Sequence, residues 1–84
     1  MISLHKITKL MPLDDFILKV DFGNEVKLYD DLKPLLKKNV AFQDLKRMPG
    51  LYEQAKIDVG GYCIVWNDLL DLSAETIYQN GISA

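Results

Sequence analysis

The chain has 84 residues, with 12 acidic and 10 basic side chains and 49% apolar residues. That length makes a single domain, residues 1–84, whose core is too small to enclose a drug-sized ligand without surrendering much of its packing. The apolar content is that of a folded protein, and the mildly acidic balance offers no strong basic surface for general nucleic-acid binding.

Residues 2–11 are expected to form a first strand ending near Pro12, because proline lacks the N–H a strand ladder uses. Asp14-Asp15 is a turn signal. Phe16, Leu18, Val20 and Phe22 then alternate with Ile17, Lys19 and Asp21, a period of two that places the first set on one strand face. Gly23-Asn24 tolerates positive φ as a hairpin turn requires, and Glu25 to Tyr29 resumes the alternation with Val26 and Leu28 expected to face inward. Residues 16–29 therefore read as a β-hairpin.

Asp30-Asp31 supplies a helix cap and Pro34 suits a first helical turn, which predicts a short helix over 31–38 with Leu32, Leu35 and Leu36 as its apolar stripe. Residues 40–47 are ambiguous. Met48-Pro49-Gly50 breaks the chain, and a single helical turn is expected near Leu51-Tyr52. Gln54 to Val59 and Tyr62 to Trp66 flank Gly60-Gly61, a second hairpin that pairs Val59 with Tyr62, Ile57 with Ile64 and Ala55 with Trp66. Asn67-Asp68 turns the chain away. Ser73 caps a final helix with Ile77 and Tyr78 facing inward, and Asn80-Gly81 ends it. The order β-ββ-α-ββ-α predicts an α+β fold, an antiparallel sheet of about five strands with two short helices.

The ordered set of motifs resembles the DUF2442 family of small bacterial domains. Its strand pair, roughly Leu-x-Val-x-Phe before a turn, is matched by Leu18-Lys19-Val20-Asp21-Phe22-Gly23-Asn24. Asp31-Leu32-Lys33-Pro34-Leu35-Leu36 matches its Leu-rich helix, and Phe42-Gln43-Asp44-Leu45 its Phe-x-x-Leu. The most specific stretch runs from Ile64-Val65-Trp66 through Asp68-Leu69 to Ser73 and Ile77-Tyr78. Two departures concern turns and packing: Gly23 precedes Asn24 rather than following it, and Leu51-Tyr52 stands where a Phe is usual. The resemblance implies no defined reaction. It implies a small protein often encoded beside another, in arrangements like toxin–antitoxin operons. Some members carry a C-terminal helix-turn-helix domain; this chain stops at Ala84, so independent DNA binding is not expected.

Candidate chemistry is sparse. Asp14-Asp15 and Asp30-Asp31 are paired carboxylates, but no His or Arg stands at a matching spacing, so caps and solvated turns are preferred to acid–base work. His5 has no orienting partner in sequence and reads as a solvent-facing strand residue. Cys63 lacks a nearby His or a Cys-x-x-Cys context; as a lone cysteine it excludes an internal disulfide and suggests a small buried hydrophobe. Gly60-Gly61 is followed by a strand, not the helix start a phosphate cradle needs. Asp71 is expected to cap the last helix. No catalytic residue, metal ligand or cofactor is expected. Met-Ile-Ser-Leu-His-Lys has no signal-like apolar stretch and no run is long enough to span a membrane, so the expectation is a cytoplasmic protein.

Two surfaces remain. Tyr62 to Trp66 is apolar on both faces, which two short helices can scarcely cover; Cys63 and Val65, extended by Ile17, are the expected partner contacts. Lys33, Lys37, Lys38, Lys46 and Arg47 form a basic stretch, interrupted by Asp31 and Asp44, for which a solvated helix face is the plainer reading. The expectation is an interaction module, antitoxin-like, binding an adjacent gene's product and able to form a homodimer. A small-ligand sensor and a nucleic-acid accessory protein are the alternatives.

Overall fold

The computed structural model describes residues 5–30, 32–67 and 70–83. Its strands are β1 (Lys9–Leu13), β2 (Ile17–Asp21), β3 (Val26–Tyr29), β4 (Lys56–Ile57), β5 (Cys63–Asn67), β6 (Leu70–Ser73) and β7 (Ile82–Ser83); its helices are α1 (Leu32–Lys38), α2 (Val40–Arg47) and α3 (Ala74–Asn80). The fold is α+β and wholly antiparallel, as expected, but the strands divide between two sheets, β1-β2-β3-β7 and β4-β5-β6. The N-terminal segment ties the sheets together: the Ile7 N–H donates to the Gly61 carbonyl and the Thr8 N–H to that of Asp21. Ile7 itself is buried.

One core serves both sheets. Leu18, Val20, Phe22 and Tyr29 from the first meet Ile64, Trp66, Leu70 and Leu72 from the second, with Leu32, Phe42, Leu45, Ala74 and Ile77 from the helices. Trp66 donates its ring N–H to the Tyr52 carbonyl at 3.1 Å, so its one polar atom is satisfied inside the core.

The first strand begins later than expected and contains Pro12 within it. Edge position makes this tolerable, since an edge strand has one side without a ladder. The β2–β3 register pairs Leu18 with Tyr29, Lys19 with Leu28, Val20 with Lys27 and Asp21 with Val26. Val26 and Leu28 therefore share the outer face with Lys19 and Asp21, not the core face expected for them. The inward residues are Lys27 and Tyr29. Phe16 is no strand residue either: Asp14–Phe16 form a helical turn in which Asp15 and Phe16 carry φ of 63° and 58°.

The second hairpin takes the expected register at Ile57 and Ile64, although β4 is only two residues long. Gly61 N–H closes a turn on the Asp58 carbonyl, with Gly60 at φ 95°, and this leaves Val59 96% exposed at the tip rather than paired over the core with Tyr62. Residues 40–47 are helical, started by Asn39, whose side chain accepts from the Ala41 N–H. The helical turn near Leu51-Tyr52 is present as Tyr52–Gln54. Ser73 caps α3 by accepting from the Thr76 N–H. Asp71, expected in that role, instead lies exposed on β6 opposite Val65. Asp31 and Asp68 lie outside the described residues. Strands β6 and β7 were not anticipated.

Candidate functional site

The outer face of the four-stranded sheet is built by register alone. Lys9, Met11 and Leu13 of β1 stand opposite Asp21, Lys19 and Ile17 of β2; Val26 and Leu28 continue the face across β3, and Ile82 closes it opposite Leu28. The face is open, with Met11 56% and Ile82 62% exposed. Lys9, Leu10, Met11, Lys19, Asp21 and Val26 line a hollow of about 520 Å³ on it. The Asp21 carboxylate accepts from the Gly23 N–H at 2.7 Å, so it serves the hairpin turn. The result is an apolar band carrying two exposed lysines.

The outer face of the three-stranded sheet is different. Cys63 and Val65 lie there half-buried, opposite Ser73 and Asp71 of β6, and Lys56 of β4 also faces Val65. Gln54, Lys56, Asp58, Asn67 and Asp71 surround Val65 in a mainly polar hollow. Ile17 stands on the other sheet, so it does not extend this patch, and the three residues expected as one contact surface are divided between two. Burial pushes the Cys63 thiol up, with Asp71 and Asp58 adding to the shift. That is the wrong direction for a nucleophilic thiolate.

A third cluster joins the N-terminal segment to α3. The His5 ring stacks on Tyr78 with centroids 3.5 Å apart, and its Nδ1 lies 2.8 Å from the Glu75 carboxylate. His5 is thus no solvent-facing strand residue. Lys27 sits 4.9 Å from the Tyr78 ring centre and 3.6 Å from Glu25. The hydrogen bond from Ser83 is the main cause that holds the Glu25 carboxyl below its ordinary range, and His5 does the same for Glu75. This network clamps β3, β7 and α3 together, and its groups are occupied with one another.

The basic residues separate on folding. Lys33, Lys37 and Lys46 surround a hollow of about 280 Å³ together with Asp15, Phe16 and Leu36. Lys38 and Arg47 are exposed elsewhere, Arg47 pairing with Asp44 at 3.1 Å. Among the described residues there is no group of three or more His, Cys, Asp and Glu that could hold a metal ion, and no helix long and apolar enough to cross a membrane.

The family model described as "Protein of unknown function (DUF2442)" matches residues 7–83. The chain belongs to the DUF2442 family. No curated protein and no solved structure matches it.

In this DUF2442 domain the family motifs resolve mostly into packing. Leu18, Val20, Phe22, Phe42, Leu45, Ile64, Trp66 and Ile77 are all core residues, and Ser73 is a helix cap. The outer-face residues Met11, Val26, Leu28 and Ile82 were missed as candidates. The signal for two of them was present: counting outward from the Gly23-Asn24 turn pairs Phe22 with Glu25 and Val20 with Lys27, which sends Val26 and Leu28 to the opposite face. Nothing in so short a segment marks Ile82 as a strand residue.

Proposed function

We propose that this DUF2442 domain is an interaction module that acts by protein–protein contact rather than by catalysis, with the outer face of the four-stranded sheet as its contact surface. The observation that supports this most is the apolar band of Met11, Ile17, Val26, Leu28 and Ile82 gathered on one open sheet face, whereas the exposed Val40, Met48, Val59 and Tyr62 lie on α2, on the segment after it and at the second hairpin's tip. Exposed apolar groups collected into a patch are a common mark of association. Lys9 and Lys19 on the same face favour a partner surface with acidic groups beside its apolar ones.

In its finer form the proposal is antitoxin-like: the domain covers a functional surface on the product of an adjacent gene. The gene arrangements implied by the family resemblance motivate that form. Co-expression of the two products tests it. Wild type is expected to co-purify with the neighbour at micromolar concentration, and a Met11→Asp, Ile82→Asp double variant to lose it while keeping its fold by circular dichroism. A complex that never forms, or that the double variant retains, rejects the proposal.

A further inference from the structure

The four strands of this sheet are five, five, four and two residues long, so its face presents only roughly 260 Å² at the usual strand spacing and rise. A standard interface takes about 800 Å² from each partner. The reading of this chain as an interaction module therefore calls for more surface than the sheet supplies. The three-lysine hollow adjoins it in sequence, because Phe16 directly precedes Ile17.

Three observations set this hollow apart from an ordinary solvated helix face. Its cations come from two helices, Lys33 and Lys37 from α1 and Lys46 from α2, yet they collect around an apolar floor of Phe16 and Leu36 and outnumber Asp15, the one acidic residue of the lining, three to one. Among the described residues none of the three makes an ion pair; the nearby Asp44 is taken by Arg47. Lys37 and Lys46 lie in last helical turns, where a cation is favoured by the helix dipole, but Lys33 lies in the first turn of α1, where it is not. Helix stability therefore does not account for the set.

The floor is also held at a cost. Phe16 has φ 58°, a conformation that bulky L residues rarely adopt. It persists because the Tyr52 hydroxyl grips both ends of the turn, 2.8 Å from the Leu13 carbonyl and 2.7 Å from that of Ile17. Phe16 packs edge-on against the Tyr52 ring at 5.1 Å. Strain of this kind gathers where a side chain must be presented in one place.

We infer that this hollow is a binding site for an acidic peptide segment of a partner protein, with one aliphatic or aromatic side chain seated on Phe16 and Leu36 and its flanking carboxylates met by Lys33, Lys37 and Lys46. The hollow, about 280 Å³, stands at the lower end of the roughly 300–1,000 Å³ of small-molecule pockets and has room for one side chain. The inference rests on the interaction-module reading but not on the sheet face.

The test is fluorescence polarisation with a labelled peptide in which a Leu-Phe pair is flanked by two glutamates on each side. The intact domain should bind it saturably, and more weakly as salt rises. A Lys37→Glu, Lys46→Glu variant, altered only at exposed positions, should bind at least tenfold more weakly, while Lys37→Arg, Lys46→Arg should bind as wild type does. A peptide with serines for Leu-Phe should also bind at least tenfold more weakly. Absence of saturable binding below millimolar concentration, indifference to charge reversal, or equal binding of a single-stranded oligonucleotide of the same charge overturns the site. If the charge-reversed variant still co-purifies with the partner and the sheet-face variant does not, the hollow fails while the interaction module stands.

Discussion

Tyr52 does three jobs. Its ring lies in the core, its carbonyl accepts from Trp66, and its single O–H proton is shared between two carbonyl oxygens that bracket a strained turn. Tyr52→Phe leaves those oxygens without this donor and is expected to cost about 1–3 kcal/mol in denaturant unfolding. Burial, reinforced by Glu53 and Asp14, pushes the hydroxyl up to about 12 from its ordinary 10.0. A raised pKa in the folded state favours the neutral form, so its contribution is full below pH 10 and is lost as pH rises toward 12. Melting curves across that window should show a loss of stability that Tyr52→Phe lacks. On the acid side the sign reverses. Glu25 and Glu75 are held below their ordinary 4.5, so their contribution is present above that value and lost as pH falls through their folded pKa values. Replacing both by Gln should flatten the acid limb of a stability–pH curve; an unchanged limb would show that the clamp around Tyr78 adds nothing.

Among the elements, the two hairpins differ in how well their side-chain faces could be read. In the second, Gly60-Gly61 and the apolar residues on either side agree, and the Ile57–Ile64 pair forms as pattern and turn require. In the first, the turn was legible but the faces of β3 were not, because both faces of that sheet carry apolar residues. Alternation shows which residues share a face; it does not show which face is buried. Strand β6 does carry a period of two, with Leu70 and Leu72 buried and Asp71 and Ser73 exposed, but Asp71 and Ser73 also fit as caps of the helix that follows. The helix cap at Ser73 was legible because its chemistry is local: a hydroxyl three residues before the N–H it accepts from. Ser73→Ala should cost about 1 kcal/mol. The face assignment gives a sharper contrast. Leu18→Ala removes a fully buried side chain and should cost about 2–5 kcal/mol, whereas Val26→Thr on the outer face should stay within about 0.5 kcal/mol. Equal costs in urea titrations would mean that Val26 faces the core after all.

Taken whole, the molecule places both sheets and all three helices around one core, which leaves each sheet a face turned outward. That much follows from length and composition: a chain this short has too few helices to cover every sheet face. Which face stays greasy was not legible, because it depends on strands from distant parts of the chain meeting side by side. Cys63 and Val65, expected as partner contacts, sit half-buried among Lys56, Asp58, Asp71 and Ser73, while Met11 and Ile82, from opposite ends of the chain, complete the apolar band. Amide hydrogen exchange, compared between the free domain and its complex with the partner, tests that assignment most directly. New protection is expected over residues 9–13, 17–21 and 26–29, with 54–58 and 71–73 unchanged. Protection on the second group alone, or none on the first, would contradict it.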